Sequence, residues 1–222
     1  MGNDLRTGYK AAGASFVSVG KTGCNLTDII PQGADKFTGN VSIQVLNYQG
    51  KMEASYKFYK GYGRRPYADD GWYYGSTLIT KDNDVNFPAG TGLWFSGADG
   101  LSFQTSGEVL LDSVQCNLRD GYILLANPFA TDAKLTSLVP GGAEKFQGNV
   151  SIQILNYQGK MEASYKFYKG YGRRPYMDDG WYYGTTLITK DKDVSFKAGD
   201  GLWVAGADGL TLTFTTPFED AE

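Results

Sequence analysis

The sequence predicts an all-β protein built from two tandem, pseudo-symmetric β-sandwich-like modules. Three observations carry this prediction. Glycine is abundant, at 30 of 222 residues, as is tyrosine, at 16. Long runs of Ala, Leu, Glu and Lys at helical spacing are absent, and several segments alternate between apolar and polar residues with a period of two. This combination is typical of short strands joined by many turns.

An internal repeat defines the domain organisation. Residues 33–101 align with residues 142–210 at a constant offset of 109, and 58 of these 69 positions are identical. Residues 3–9 also resemble residues 116–122. We therefore expect a first module over 1–106 and a second over 107–222, each about as long as a common small domain.

The strands are predicted from apolar runs and alternation. Apolar runs open each module, and a turn or single helical turn follows at LTDIIP and LTSLVP. The clearest alternation predicts a strand over 51–60, with Lys51, Glu53, Ser55, Lys57 and Tyr59 outward and Met52, Ala54, Tyr56 and Phe58 inward. Further strands are predicted at 9–19, 122–126, 41–46, 72–74, 93–95 and 101–105, and at the second-module equivalents of the last four.

Composition excludes several classes of function. The net charge is −3, whereas proteins that bind nucleic acid usually carry a clear basic excess, so no nucleic-acid partner is expected. Histidine is absent, which removes the usual general base and the commonest metal ligand. We expect no cofactor. The two cysteines, Cys24 and Cys116, either form a disulfide between the modules or remain as two buried thiols.

The terminal and apolar segments bear on localisation. The first ten residues contain no apolar segment of signal-peptide length, and we expect that a leader has been removed from a secreted or cell-surface protein. No apolar run approaches about 18 residues, so no membrane-spanning segment is predicted.

The most distinctive segment is YKFYKGYGRRPYADDGWYY at 56–74, repeated almost unchanged at 165–183. Together the copies hold twelve of the sixteen tyrosines. Aromatic residues in alternation often fill a core, and Tyr56, Phe58 and Trp72 fit that interpretation. Outward or loop tyrosines beside arginines suit recognition instead. The predicted binding or assembly surface comprises Tyr59, Tyr62, Arg64, Arg65, Tyr67, Tyr168, Tyr171, Arg173, Arg174 and Tyr176.

Acidic residues near this segment suggest weaker alternatives. A pair of carboxylates can catalyse glycoside hydrolysis, but adjacent strand residues point to opposite faces and Asp-Gly is a common turn, so no enzyme is predicted. A calcium site could form if two loops meet, although the complete calcium-loop motif is absent. Its ligands would be Asp69, Asp70, Asp82 and Asp84. Asp69 and Asp70 could instead pair with Arg64 and Arg65.

The ends of the modules resemble those of β-sandwich-like modules found in bacterial secreted and surface proteins. In the opening motif GYILLANPF the matching residues are Gly121, Tyr122, Asn127, Pro128 and Phe129. The closing motif is matched at Gly199, Gly201, Leu202, Trp203 and Val204, and in the first copy at Gly90, Gly92, Leu93, Trp94 and Phe95. The first copy departs at its opening, where GASFVSVG stands. The resemblance implies an extracellular, often repeated module and supplies no catalytic residues.

Two functions are therefore expected to compete. In the first, the chain is a non-catalytic building block of an extracellular assembly or filament that self-associates through its Tyr/Arg-rich surfaces and strand edges. In the second, it is a carbohydrate-binding or adhesion module in which Tyr59, Tyr62, Tyr67, Trp72 and their second-copy counterparts stack on glycans.

Overall fold

The computed structural model describes residues 2–4, 8–47, 49–156 and 160–218. It confirms the predicted all-β class, because its regular structure consists of strands apart from three short 3-10 helices, Leu26–Asp28, Leu135–Ser137 and Lys190–Lys192. We call residues 1–106 the first half and residues 107–222 the second half. The assignment of the halves as two domains stays a prediction.

The strands of the first half are β1 (Gly2–Asp4), β2 (Gly8–Ala12), β3 (Gly23–Asn25), β4 (Ile29–Gln32), β5 (Phe37–Leu46), β6 (Met52–Lys60), β7 (Gly71–Tyr74), β8 (Thr77–Leu78), β9 (Asn86–Pro88), β10 (Leu93–Gly97) and β11 (Ser102–Thr105). Those of the second half are β12 (Val114–Asn117), β13 (Gly121–Ala126), β14 (Ala133–Lys134), β15 (Leu138–Gly141), β16 (Phe146–Leu155), β17 (Met161–Lys169), β18 (Gly180–Tyr183), β19 (Thr186–Leu187), β20 (Ser195–Phe196), β21 (Gly201–Gly206) and β22 (Thr211–Phe214).

These strands form several antiparallel sheets. The first half has a six-stranded sheet of order β2-β10-β5-β6-β7-β8, a three-stranded sheet of order β1-β11-β4, and the pair β3-β9. The second half has the orders β13-β21-β16-β17-β18-β19, β12-β22-β15 and β14-β20. The larger sheet carries the Tyr-rich segment in its strands β6 and β7, and in β17 and β18 of the second half.

A core of large apolar side chains joins the six-stranded and three-stranded sheets. In the first half Phe95 of β10 stacks on Phe103 of β11, with ring centroids 4.0 Å apart. Trp72 is 2% exposed, and its indole Nε1 donates a hydrogen bond to the carbonyl oxygen of Ile29 at 2.7 Å. Trp181 makes the equivalent bond to Leu138 at 2.8 Å. Each tryptophan therefore fills the core and satisfies a buried carbonyl of the facing sheet.

The predicted alternation of β6 is correct in its middle and wrong at its start. Tyr56 and Phe58 are buried in the core as expected, but Met52 is 58% exposed. The pairing of β5 with β6 slips, since Val45 pairs with Ala54 while the next residue, Leu46, pairs with Met52. An extra residue on one strand reverses the face of those beyond it. The bulge therefore places Met52 on the outer face of the sheet.

The two halves contact each other through reciprocal backbone hydrogen bonds. Gly13 N–H of the first half donates to Gly199 O at 2.9 Å, and Ala126 N–H of the second donates to Gly90 O at 2.9 Å. Gly92 N–H donates to Leu124 O at 3.0 Å. Strands β2, β10, β13 and β21 thus meet at the centre of the molecule. At the opposite end the large sheets finish in β8 and β19, which have two residues each.

Both cysteines are free thiols, so the disulfide considered from the sequence is not formed in this structure. Cys24 lies in the core of the first half, whereas Cys116 packs against the core of the second half. Burial, and after it the carboxylates of Asp28 and Asp84, raises the pKa of Cys24 to about 12. Both thiols are therefore protonated and unreactive at neutral pH.

We expect alkali to destabilise the first half through Cys24. Below pH 9 the thiol is protonated in both folded and unfolded chains, so it has no effect on pH dependence. Between pH 9 and about 12 the unfolded chain loses this proton while the folded chain keeps it, so the free energy of unfolding falls by about 1.4 kcal/mol per pH unit. Urea unfolding of the reduced protein over this range measures the slope. Cys24→Ala should have a shallower slope, and parallel slopes for both proteins would contradict the assignment.

Candidate functional site

The Tyr-rich segment places a ten-residue loop, residues 61–70, between β6 and β7. Gly61 and Gly63 adopt φ of 61° and 65°, values that favour glycine, and so the chain can turn back over the sheet. The carboxylate of Asp70 accepts a hydrogen bond from Gly61 N–H at 2.7 Å, which closes the loop at its base. The peptide bond between Arg65 and Pro66 is cis. The loop is thus a compact structure with its ends tied together.

Four tyrosines hold this loop against the outer face of the sheet. Tyr59 and Tyr67 stack with parallel rings whose centroids are 4.0 Å apart, and both meet the ring of Tyr73 edge-on. Tyr62 packs at 5.5 Å from Tyr59. The Tyr73 hydroxyl donates to the carbonyl oxygen of Asp69 at 2.9 Å. We call Tyr59, Tyr62, Tyr67 and Tyr73 the tyrosine cluster.

The structure corrects the prediction that Tyr59 is an exposed binding residue. Tyr59 points away from the core as expected, but it is only 8% exposed because the loop covers its ring. Tyr62 and Tyr67 are half-buried. Tyr59 and Tyr67 thus cover one ring face of each other, and Tyr59 in particular has little surface left for a glycan. Trp72, also a predicted stacking residue, is buried in the core.

The second half repeats the cluster with Tyr168, Tyr171, Tyr176 and Tyr182. Tyr168 stacks on Tyr176 at 3.8 Å, and Asp179 closes the loop by accepting from Gly170 N–H at 2.7 Å. Burial, followed by the hydroxyl of Tyr176, raises the pKa of Tyr168 to about 12. At neutral pH the Tyr168 phenol therefore stays protonated, so it can donate a hydrogen bond but does not act as a base.

Arginines are the most exposed predicted site residues. Arg64 and Arg65 lie at the tip of the first loop, and Arg173 and Arg174 lie at the tip of the second; all four are exposed. Lys57 and Lys60, on the strand beneath the first loop, are exposed as well. Each loop therefore presents two exposed guanidinium groups at its tip above packed tyrosines, with two exposed aspartates near its end. We call these two loops the arginine loops.

The acidic residues proposed as calcium ligands have other partners. Asp70 closes the arginine loop, while Asp84 accepts hydrogen bonds from the backbone N–H and the hydroxyl of Thr27. Asp69 and Asp82 are exposed. Within the described residues, no group of three or more acidic, cysteine or histidine side chains is placed to hold a metal ion. The carboxylates of Asp70 and Asp84 therefore fix loops.

A second surface was not anticipated from the sequence. A groove of about 580 Å³ lies across the outer faces of the two large sheets, where the halves meet. Trp94 and Trp203 both line it and lie next to each other, with ring centroids 6.4 Å apart and planes at 47°. Two glutamines, two leucines, two methionines and Gly50 complete the lining. We call it the tryptophan groove.

Sequence alternation contains a signal for this groove. Trp94 lies between the buried residues Leu93 and Phe95, and Trp203 lies between Leu202 and Val204, so both indoles point outward. From the sequence, these tryptophans are recognised only as part of the closing-strand motif. Met52 was wrongly assigned to the core. The contact between the halves brings these residues together.

Comparisons of the chain with known proteins gave no match. No protein-family model matches it, and no curated protein and no solved structure matches it either. The resemblance to bacterial surface modules, with its extracellular location, therefore stays a prediction. Among the described residues no helix is long and apolar enough to cross a membrane.

Proposed function

We propose that the chain is a non-catalytic building block of an extracellular assembly and that its arginine loops are the docking surfaces. The observation that carries this proposal is the presence of two rigid loops with the same closing bond and the same stacked tyrosines. Both closing bonds measure 2.7 Å, and the stacked rings lie 4.0 and 3.8 Å apart.

Rigidity favours a binding role for these loops. A docking loop that is ordered before contact loses less conformational entropy on binding. The tyrosine clusters and the Asp70 and Asp179 bonds provide that order. The arginines supply planar donors that match carboxylates, and arginine is among the residues enriched at binding hot spots.

Charge favours another copy of this chain as the partner. The arginine loops are local cationic surfaces on a chain whose net charge is −3, so the rest of the surface is acidic on balance. A cationic loop of one copy can therefore meet an acidic surface of the next. Such a contact joins unlike surfaces and can extend without closing, as in a filament.

Strand edges contribute less than expected from the sequence. The large sheets end in the two-residue strands β8 and β19 on one side, and on the other side β2 and β13 contact the opposite half. Short or covered edges resist pairing with a further chain. We therefore assign the assembly contact to the arginine loops.

The test is self-association of a variant with all four loop arginines changed to alanine, R64A/R65A/R173A/R174A. We expect the natural chain to form species whose mass grows with concentration and falls with added salt. The variant should associate at least about tenfold more weakly, measured by sedimentation velocity and electron microscopy.

A charge-matched control separates docking from net charge. It removes four exposed lysines outside the loops, in the variant K21A/K81A/K190A/K192A. This control should assemble like the natural chain. A natural chain that stays monomeric at high concentration in low salt, or equal weakening by both variants, would overturn the proposal.

A further inference from the structure

We propose that the tryptophan groove binds a neutral saccharide chain. This inference does not depend on the proposed function, because the groove contains no residue of the arginine loops. Its lining side chains come from Trp, Gln, Leu and Met, with Gly50 as the ninth residue. Since none of these described lining residues is charged, a charged ligand would lose hydration without gaining a counter-charge from them. The lining therefore favours a neutral ligand.

Each half contributes an indole beside an amide. Trp94 on β10 pairs with Gln44 on β5, and Trp203 on β21 pairs with Gln153 on β16. Directly paired residues of an antiparallel ladder project from the same face. The groove therefore offers two aromatic surfaces, each flanked by a side chain that both donates and accepts hydrogen bonds.

A sugar ring needs these two kinds of group. Its C–H faces are apolar and pack on an aromatic ring, whereas its equatorial hydroxyls require donors and acceptors at the edge. Ligand sites commonly combine aromatic walls with a few well-placed polar groups. The groove thus presents apolar and polar side chains next to each other, as the surface of a sugar ring does.

One side of the groove is ordered before any ligand arrives. Trp203 stacks on Tyr122 with centroids 5.7 Å apart, and the amide of Gln153 donates to the Tyr122 hydroxyl at 3.0 Å. These contacts fix the indole and the amide in place. Met52 and Met161 are 58% and 59% exposed, and their flexible side chains can adapt to a ligand on either side.

Equivalent groups from the two halves favour a polymer over a single sugar. The tryptophans, glutamines and methionines of the groove occur in pairs separated by 109 residues. Successive units of a homopolymer would therefore meet equivalent side chains. A volume of about 580 Å³ lies within the range of sites for small organic ligands, about 300–1,000 Å³.

The test is calorimetric titration of the full chain with neutral hexasaccharides: cellohexaose, laminarihexaose, mannohexaose, maltohexaose and N-acetylchitohexaose. Hyaluronan and polygalacturonate fragments serve as anionic probes. We expect binding of at least one neutral sugar, and at least a tenfold loss in both Trp94→Ala and Trp203→Ala, as for other aromatic anchors. The variant R64A/R65A/R173A/R174A should keep full saccharide binding.

Conservative variants distinguish the loss of a binding contact from misfolding of the variant protein. Trp94→Phe keeps an aromatic surface and should retain most of the affinity, while Gln153→Leu keeps the side-chain volume and should lose about tenfold or more. Absence of binding to all five neutral sugars, preference for the anionic probes, or unchanged binding in the tryptophan variants would overturn the proposal. So would a dimer that Trp94→Ala dissociates, because the groove would then hold a second copy.

Discussion

Replacing Trp72 with alanine is expected to destabilise the first half by about 3–5 kcal/mol. Truncating a buried Trp to Ala typically has this effect, because packing contacts are lost and a cavity remains. Here the Ile29 carbonyl also loses its donor. An unpaired buried carbonyl costs about 1–3 kcal/mol, so we expect a loss in the upper part of the stated range. Urea unfolding followed by far-UV circular dichroism measures the change.

Matched variants make this experiment sharper. Trp181→Ala removes the same side chain and the same kind of hydrogen bond from the second half, so an equal loss is expected there. Tyr74→Ala, on the same strand but at a residue 53% exposed, should change stability by less than about 1 kcal/mol. A loss below 1 kcal/mol in Trp72→Ala would contradict the structural role assigned to the indole.

The same variants test whether the halves are separate domains. If they are, Trp72→Ala should unfold in two steps, the first half before the second, because only one unit is weakened. A single cooperative transition at a lower midpoint would show that the halves unfold together. This outcome would count against the predicted boundary after residue 106.

Adding one methyl group at Gly92 and one at Gly201 is expected to separate the two halves. A Cβ at Gly92 would lie 2.6 Å from Leu124 Cγ and 2.7 Å from the Leu125 carbonyl oxygen. A Cβ at Gly201 would lie 2.5 Å from the Ala11 carbonyl carbon. Backbone atoms cannot move aside as the end of a flexible side chain can. Overpacking at each site should therefore destabilise the contact between the halves by about 1–3 kcal/mol.

Limited proteolysis and small-angle scattering detect the separation. In G92A/G201A we expect faster cleavage in the exposed connection around residues 106–109 and a larger radius of gyration, while each half keeps its strands. The control is Gly100→Ala, which adds a methyl group in open space and costs about 1–2 kcal/mol of backbone strain at φ 83°. Unchanged cleavage and size in the double variant would show that the contact tolerates the added atoms.

Separation of the halves should also abolish the tryptophan groove. Trp94 and Trp203 come from different halves, and the contact that includes Gly92 and Gly201 places their strands side by side. The double variant should therefore lose saccharide binding while it keeps both arginine loops, each of which lies within one half.

The all-β class, the position of most strands and the repeat could be predicted from the sequence alone. These follow from local properties: alternation has a period of two, glycine-rich turns interrupt it, and the repeat is visible as identity. The sequence also favoured burial of Trp72 in the core, while it left a stacking role for this residue open.

Which of the outward-pointing side chains are exposed to solvent depends on the tertiary structure. Alternation shows that Tyr59 points away from the core, but the folded loop that covers it depends on contacts with Tyr67 and Tyr73. A single bulge between β5 and β6 turned Met52 from the core to the surface. The tryptophan groove requires two strands whose sequence positions are 109 residues apart. The burial of Tyr59, the exposure of Met52 and the tryptophan groove depend on contacts between residues that are distant in the sequence. Local periodicity carries no information about such contacts.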